Sequence, residues 1–586
     1  MNVLSRLLPL VEALRGAERG ACWDDLVAGT LAAILLVPQS MAYALLAGLP
    51  PETGLYASVA APLAYALFGT SRALAVGPVA VVALMTASAL SDYIGADREL
   101  WLTGAVILAA EGGLVLLLLG VLRLGALVNF ISHPVLSGFT SGAAGLIILS
   151  QIKHLTGINL DRGDAIETVR ALIGRSGEIH APTLVVALSA LMLLLAGRGP
   201  LIPLLRRIGM SARGATLTSR TVPLIVVILA TLAAAALHAD NAYGLAVVGS
   251  VAAGLPMPSL AFLAAPGWQT LLPSAVLIAL VGYVESVSVA QALAARRRQR
   301  IDANRELIAL GASNIAAAVV GTMPVAGGFS RSVVNFDGGA RTQLAGIITA
   351  GLVGVVALFF TGWLHYLPET VLAAVIVIAV AQLIDVDAAR RVWAYDRAEG
   401  FALVATAVAV LTLGIEMGLL LGIGLSLALH LWRTGHPHIA VVGRLPGTEH
   451  FRNVNRHLVE TSPRVLAVRV DESIYFANTS QVADFITSNL AAAPNTRDLL
   501  LVMAAVNSID ASGLEMLEHL EEALQHAGIT MHLAEVKGPV QDRLVSTRLG
   551  RRLAGRIYLT TGRAFEALTG GKHREQEAGS KTTASR

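Results

Sequence analysis

The strongest constraint on this chain is a series of apolar segments that recur from about residue 24 to residue 433. Most of these segments are long enough to cross a hydrocarbon core of about 30 Å as helices. Fourteen can be recognised, at 24–47, 52–68, 78–92, 99–122, 126–150, 180–197, 221–238, 270–293, 306–321, 329–338, 343–361, 368–384, 397–414 and 415–433. The pattern predicts a large helical membrane domain over residues 24–433.

The composition supports a membrane protein, because 55% of the 586 residues are hydrophobic and 14% are charged. Soluble chains carry about 25% charged residues. The net charge of +3 gives no indication of a nucleic-acid partner. Cys22 is the single cysteine, which excludes an internal disulfide. Residues 1–23 lack the apolar core and cleavage site of a signal peptide, and they predict a cytoplasmic, interfacial amphipathic segment.

Two of the segments are short and begin after a break that contains glycine and proline. Segment 78–92 follows the sequence LAVGP, and segment 329–338 follows PVAGG. They are third and tenth in order, which is the arrangement that two inverted repeats of seven helices would give. Non-helical backbone at membrane depth persists only where protein or a cavity satisfies its polar groups. We therefore expect the two breaks to serve a site inside the membrane domain.

Arginines mark the cytoplasmic side of the predicted spans. The loops 198–220, 294–305 and 385–397 are rich in arginine, as the positive-inside rule requires of inner loops when both termini are cytoplasmic. One connection disagrees with the rule. Residues 153–179 carry Lys153 and three arginines, although the count of spans places them outside.

The amino-acid composition changes after about residue 434. Strands are predicted at RVLAVRV, SIYFA, DLLLVMAAV and TMHLAEV, with helices at TSQVADFITSNL and ASGLEMLEHLEEALQHAG. Strands that alternate with helices indicate a small α/β domain, which we place at residues 434–572. Residues 573–586 are polar and low in complexity, and they predict a disordered tail.

Charged and amide groups interrupt the apolar segments. Arg331 lies in the tenth segment, where a charge at mid-bilayer costs about 2.5–3.5 kcal/mol even on the insertion scale. Pairing with an acid such as Asp337, which would join two helices, is one way to offset that cost. Gln39 and Tyr43 are four residues apart on one face of the first segment, after Pro38. They either line a polar cavity or belong to a kinked helix in which Gln39 bonds to a neighbour.

Other titratable groups lie in or near the spans. Glu285, in the eighth segment, is a functional candidate, because an intramembrane carboxylate is costly and burial disfavours its charged form. A structural hydrogen bond to a neighbouring helix is the alternative. Structural roles are expected for Glu111 and for His133. Asp24 and Asp25 are expected to cap the first helix.

Three stretches resemble signature sequences of the sulfate permease (SulP) family of anion transporters. They are PQSMAYALLAGLPPETGLYAS, GTSRALAVGPVAVVALM and GGFSRSVVNFDGGARTQLAG, and they occur in family order. The soluble part resembles the family's STAS domain, notably in RVDESIYFAN and SIDASGLEML. The resemblance implies fourteen transmembrane segments in 7+7 inverted repeats, divided into a core and a gate domain, and a C-terminal cytoplasmic α/β STAS domain. A homodimer in a bacterial inner membrane is the expected setting.

The resemblance also implies an anion site between the facing N-termini of the third and tenth segments. Free backbone N–H groups and positive dipole ends meet there. Glu285 resembles the acid that family members use for proton coupling, or for sodium when it is aspartate with a nearby hydroxyl. Because Ser286 and Ser288 provide nearby hydroxyl groups, sodium remains an alternative coupling ion. The positions that match the substrate site are Gln39, Tyr43, Val79, Ala80, Phe329, Ser330 and Arg331.

The expected function is secondary active transport of a small inorganic anion, with sulfate as the first choice and a proton as the coupling ion. Bicarbonate, C4-dicarboxylate, nitrate and chloride remain alternatives, as do an anion exchanger, a channel and a voltage-responsive motor. No Walker A motif, metal-ligand spacing or catalytic triad stands out, so no pump, enzyme, cofactor or metal is expected. In the soluble domain, Ser512 is either a phosphorylation site or, with Asp510, a candidate helix cap.

Overall fold

A computed structural model describes residues 20–94, 98–126, 132–158 and 165–570. The chain divides into two compact units, one that ends at Ser426 and one that begins at Leu427. The first unit is helical, and the second contains a six-stranded sheet. Residues 1–19 and the expected tail at 573–586 lie outside the described residues. The predicted domain limits at residues 23, 433 and 572 stay predictions.

Each of the predicted apolar segments overlaps at least one helix. Helices α1 to α10 are Ala21–Leu46, Pro51–Phe68, Ala80–Ile94, Arg98–Val121, His133–Thr156, Ala165–Gly174, Ala181–Arg198, Leu201–Arg207, Ala212–Leu237 and Ala239–Tyr243. Helices α11 to α19 are Trp268–Arg296, Ala303–Val319, Phe329–Gly338, Leu344–Phe359, Thr361–Leu364, Glu369–Val380, Val386–Tyr395, Arg397–Leu413 and Ile415–Gly435. Within the described residues, 8 helices are long and apolar enough to cross a membrane. The count of fourteen spans therefore stays a prediction.

Helix α5 begins later than the apolar pattern predicts, at His133 instead of residue 126. The Ser132 hydroxyl accepts a hydrogen bond from the backbone N–H of Val135, and Pro134 occupies the first turn. Both features are typical of a helix start. The helix continues to Thr156 and ends at Gly157, whose φ of 75° is left-handed. Capping residues, not hydropathy, set these limits.

Helix packing separates the first unit into two bundles, as the resemblance implies. The core bundle consists of α1–α4 and α11–α14, and the gate bundle consists of α5, α7, α9, α16, α18 and α19. Glycines bring the helices together. A Cβ on Gly311 of α12 would lie 2.9 Å from the carbonyl oxygen of Gly113 on α4, and one on Gly138 of α5 would lie 2.2 Å from that of Leu403 on α18. Small residues at such crossings are typical of membrane helices.

Two short strands lie inside the core bundle, each directly before a short helix. Strand β1 (Val76–Gly77) precedes α3, and β2 (Ala326–Gly327) precedes α13. The strands pair antiparallel, with Val76 opposite Gly327 and Gly77 opposite Ala326. A longer helix, a strand and a shorter helix thus follow one another in each half of the unit. This arrangement is the one expected of two inverted repeats with broken helices.

Side chains from distant segments hold this two-stranded ladder in place. Asn314 of α12 donates to the carbonyl oxygen of Val325 at 3.0 Å and accepts from its N–H at 2.9 Å. The Ser332 hydroxyl of α13 accepts from the N–H of Ala75 at 2.9 Å. Polar groups of irregular backbone are thereby satisfied inside the bundle, as an apolar surrounding requires.

The second unit has a mixed sheet of six strands. The strands β3 to β8 are Ile439–Arg444, Phe451–Asn453, Val465–Val470, Asp498–Val502, Thr530–Ala534 and Ile557–Tyr558. Their order in the sheet is β4-β3-β5-β6-β7-β8. Strands β5 to β8 are parallel, and β3 is antiparallel to both β4 and β5. The helices α20 to α24 are Thr479–Ala492, Ala511–His526, Gly538–Val545, Arg548–Arg552 and Thr561–Thr569. Apolar clusters cover both faces of the sheet.

One predicted strand of this unit is wrong. The segment SIYFA forms only a single bridge, between Ile474 and Ile509. The Asn478 side chain accepts from the N–H of Tyr475 at 3.0 Å and donates to the carbonyl oxygen of Ser473 at 2.8 Å. These bonds make a turn that uses the backbone groups a strand would need.

Candidate functional site

The N-termini of two short helices meet beside the β1–β2 ladder. Helix α3 begins at Ala80, three residues after β1 ends, and α13 begins at Phe329, two residues after β2 ends. No side chain of the described residues caps the start of α13, whose N-cap residue is Gly328. The first N–H groups of a helix have no partner within the helix, and the helix dipole is positive at this end. The ladder therefore holds two anion-attracting helix ends close together.

A cavity of about 40 Å³ opens at this point. A single water needs about 10–15 Å³ by the same measure, so the space suits a small anion or a few waters. The first turns of α3 and α13 line it on the core side, and the end of α16 with the turn after it lines it on the gate side. All the residues predicted for the site are among its lining: Gln39, Tyr43, Val79, Ala80, Glu285, Phe329, Ser330 and Arg331.

Arg331 lies in the first turn of α13 and is 2% exposed. Its Nη1 donates to the carbonyl oxygen of Pro78 at 2.7 Å. Its Nε and Nη2 have no hydrogen-bond partner among the described residues. The alternative partner Asp337 instead forms an ion pair with Arg220 of α9. A buried guanidinium with unused N–H groups is expected to bind an anion or water, because an unsatisfied buried charge is costly.

Glycine at residue 328 makes room for this guanidinium. A Cβ on Gly328 would lie 2.9 Å from Nη2 of Arg331, whereas one on Gly77 would lie 3.5 Å from the same nitrogen. The φ of Gly328 is −86°, which any residue adopts. Glycine is needed at residue 328 for close approach of the guanidinium, not for backbone freedom.

Glu285 faces the same cavity from α11. Arg331 lines the same cavity. Within the described residues no arginine, lysine or histidine nitrogen lies within 4.0 Å of the Glu285 carboxyl. The neighbouring Ser286 hydroxyl donates to the carbonyl oxygen of Gly282 and accepts from the N–H of Gly327 at 2.7 Å. Ser286 therefore supports strand β2, which leaves its hydroxyl little capacity to bind sodium.

Gln39 and Tyr43 reach the cavity from α1, which runs through Pro38 without interruption. Gln39 is 5% exposed and Tyr43 is 6% exposed. The alternative role for Gln39 is a hydrogen bond to a neighbouring helix. Within the described residues, Gln39 forms no such bond. Both side chains present polar groups to the space between the helix ends.

Several other predicted polar residues lie elsewhere. Glu111 is buried on α4 outside the cavity, and one of its oxygens has no partner among the described residues. His133 is the first residue of α5. The prediction that Asp24 and Asp25 cap the first helix is wrong, because α1 begins at Ala21 with Gly20 as its N-cap. Asp25 instead accepts hydrogen bonds from the N–H groups at 341 and 342, before α14.

Two residues that sequence reasoning did not select contribute to the site or its support. Gln382, in the turn after α16, brings the gate bundle to the cavity. Glu306, fully buried on α12, accepts hydrogen bonds from the Tyr65 hydroxyl at 2.7 Å and the Thr70 N–H at 2.8 Å. It thereby fixes the segment that leads into β1. Its position at the start of an apolar segment, four places after Asp302, is the sequence signal for this role.

In the second unit, Asp510 is the N-cap residue of α21. Its carboxylate accepts from the N–H of Gly513 at 2.7 Å and from that of Phe476 at 3.0 Å. Ser512 is exposed in the first turn of this helix. The capping role thus belongs to Asp510, and phosphorylation of Ser512 stays a prediction.

Comparison with known proteins identifies the family of the chain. The family model described as "Sulfate permease family" matches residues 22–406, and the STAS domain model matches residues 457–564. The chain is 37% identical over 524 residues to the chloroplastic sulfate transporter 4.1 of Arabidopsis thaliana, covering 87% of this chain and 74% of that protein. It is 34% identical over 563 residues to a probable sulfate transporter of Mycobacterium tuberculosis, covering 96% of this chain and 98% of that protein.

The fold is also similar to a solved structure. The murine solute carrier 26 family member A9 anion transporter, in its inward-facing state, superposes with a TM-score of 0.87 at 20% sequence identity. The match covers 96% of this chain and 94% of that chain. At this identity the similarity concerns the fold alone.

Proposed function

The chain belongs to the sulfate permease family of membrane anion transporters, and we propose that it carries out proton-coupled sulfate symport by alternating access. The observation that carries the proposal is the cavity between the N-termini of α3 and α13, where Arg331 is buried with unused N–H groups. Its relatives named above are described as sulfate transporters. The small volume of the cavity favours an inorganic anion over a C4-dicarboxylate.

The charges around the cavity match a divalent anion that travels with a proton. Arg331 contributes one positive charge, and each helix N-terminus acts as about half a charge. Together these groups provide about two positive charges, which sulfate neutralises when Glu285 is protonated. An ionised Glu285 beside bound sulfate would leave an uncompensated negative charge at low dielectric. Sulfate binding and protonation of Glu285 therefore favour each other.

A monovalent anion leads to a different expectation. Bicarbonate or chloride together with an ionised Glu285 already balances the two positive charges. No proton needs to accompany such an anion, and exchange or uncoupled movement would follow. The stoichiometry of protons to anions thus distinguishes the sulfate proposal from these alternatives.

The two bundles provide the moving parts of the proposed cycle. The substrate residues of α1, α3, α11 and α13 all belong to the core bundle, whereas α16 contributes the gate side of the cavity. Movement of the core bundle against the gate bundle would expose the cavity to each side in turn. We propose cytoplasmic termini on the basis of the arginine-rich loops. We propose a homodimer in a bacterial inner membrane on the basis of the family resemblance.

Uptake of labelled sulfate into proteoliposomes tests the proposal. We expect an inward proton gradient to drive accumulation, and we expect a sodium gradient at constant pH to give none. Excess bicarbonate and chloride, added as competitors, report on selectivity. Accumulation driven by sodium alone, or uptake of bicarbonate but not of sulfate, would overturn the proposal.

Glu285→Gln tests the role of the carboxyl separately. The amide mimics the protonated state, so sulfate binding and sulfate exchange should persist. Accumulation driven by a proton gradient should disappear, because the variant can no longer release the proton. A Gln variant that still concentrates sulfate with the pH gradient would exclude Glu285 as the coupling residue.

A further inference from the structure

A second cavity borders Arg331, and its lining is otherwise distinct from that of the anion cavity. It is enclosed by α1, α2, the segment before β1, α13 and α14. Its volume is about 20 Å³, which is enough for one water and too small for an oxyanion. Arg331 lines both this cavity and the anion cavity. Arg331 is the one residue that the two linings share.

Three buried side chains that line this second cavity carry polar groups without a hydrogen-bond partner. Arg331, Asn335 and Gln343 line it and are 2%, 4% and 6% exposed. Nε and Nη2 of Arg331, Oδ1 of Asn335 and Oε1 of Gln343 have no hydrogen-bond partner among the described residues. The amide nitrogens are used, because Asn335 donates to the carbonyl oxygen of Ala73 at 3.1 Å and Gln343 to that of Gly69 at 2.9 Å. Those two bonds fix which end of each amide is the oxygen.

We propose that this cavity holds one ordered water that links the Arg331 guanidinium to the side-chain oxygens of Asn335 and Gln343. The unused groups include both N–H donors and oxygen acceptors, and water is the small molecule that can satisfy both kinds. An anion would be repelled by the two amide oxygens. A cation would be repelled by Arg331 and by Arg72, which also lines the cavity.

The water makes Asn335 and Gln343 positioning residues for the anion site. One side of the guanidinium is held by Pro78, and the water holds the side that faces the second cavity. The remaining N–H groups are then directed at the anion. This inference rests on the proposed function, since it explains how Arg331 is oriented for binding.

The direct test is an experimental map of the full-length protein at a resolution that shows ordered water. We expect density within 3.5 Å of Arg331 and of at least one of the two amide oxygens. A map that resolves other buried waters but shows this cavity empty would overturn the inference. So would a direct hydrogen bond between Arg331 and either amide. If the water is present but the protein neither binds nor transports sulfate, the proposed function fails and the water site does not.

Gln343→Met tests the positioning role, because the side chain keeps its length and loses its oxygen. We expect the Kd for sulfate to rise about tenfold, as for loss of a hydrogen bond to a charged group, with the maximal transport rate retained. The matched control is Thr349→Val, since Thr349 lines the same cavity but the one proton of its hydroxyl is shared between the carbonyl oxygens of Gly29 and Ala345. The control should bind sulfate normally.

A double-mutant comparison separates positioning from a purely structural role. The substitution Arg331→Lys removes the Nε and Nη2 atoms that the water would contact. In this background, Gln343→Met should therefore change the sulfate affinity little. An equal effect in both backgrounds would show that Gln343 acts through its bond to Gly69 and not through Arg331, which would overturn the positioning role.

Discussion

Replacement of Gly328 by alanine should displace the Arg331 guanidinium without removing any of the groups assigned to anion binding. The added Cβ would lie 2.9 Å from Nη2, 3.1 Å from Cζ and 3.3 Å from Nε of Arg331. An ordinary contact begins near 3.4 Å, so the guanidinium must move by about 0.5 Å. The backbone of Gly328, with φ −86° and ψ 130°, accepts alanine without strain. The fold should therefore survive while the guanidinium shifts.

The size of the effect follows from the hydrogen bonds at risk. Arg331 has one bond to Pro78, and the proposed site assigns further N–H groups to the anion. A hydrogen bond to a charged group contributes about 1.5–3 kcal/mol. Loss of one such bond corresponds to a rise in the Kd for sulfate of about 10- to 150-fold.

Titration calorimetry on the purified protein measures this change, with thermal unfolding as a check on the fold. Gly77→Ala is the matched control, because its Cβ would approach the same Nη2 only to 3.5 Å, which is an ordinary contact. The control should bind sulfate as the wild type does. Wild-type affinity in the folded Gly328→Ala variant, or an equal loss in both variants, would refute the position that we assign to Arg331.

Three further predictions concern separate parts of the molecule. Arg331→Ala should raise the Kd for sulfate about 30-fold or more while the fold persists, because it removes a buried charge from the site; unchanged affinity in calorimetry would exclude the site. A chain truncated after residue 436 should retain sulfate binding, since the candidate cavity lies wholly before residue 384; a folded, dimeric truncation that binds none would contradict this. Burial alone would raise the pKa of Asp471, but hydrogen bonds from Arg469 and His438 outweigh it and lower the pKa. Asp471→Asn should thus lower the free energy of unfolding by about 1 kcal/mol at pH 7, and by progressively less as the pH falls below about 4. Hydrogen exchange of the β5 amides measures this change.

The helical membrane architecture is predictable because hydropathy is a local property of the sequence. The short third and tenth segments were also predictable, since glycine and proline interrupt the apolar pattern just before α3 and α13. The residues that the resemblance assigned to the site line one cavity. Their roles in binding stay predictions until an anion is measured there.

Features that depend on distant partners were not predictable from local sequence. Asp337 pairs with Arg220, which is 117 positions away in the chain and belongs to the other bundle. Gln382 reaches the cavity only because the end of α16 packs against the core bundle. The start of α5 and the turn at SIYFA follow from side-chain bonds of Ser132 and Asn478 that outweigh the apolar pattern.

The location of a bound anion tests the central claim most directly. Selenate has the charge and shape of sulfate, and its selenium gives an anomalous X-ray signal. Crystals of the full-length protein grown with selenate should show one strong anomalous peak between the first turns of α3 and α13, within hydrogen-bond distance of Arg331. Competition by excess sulfate should remove the peak. A selenate peak elsewhere, with the cavity beside Arg331 free of it, would contradict the account.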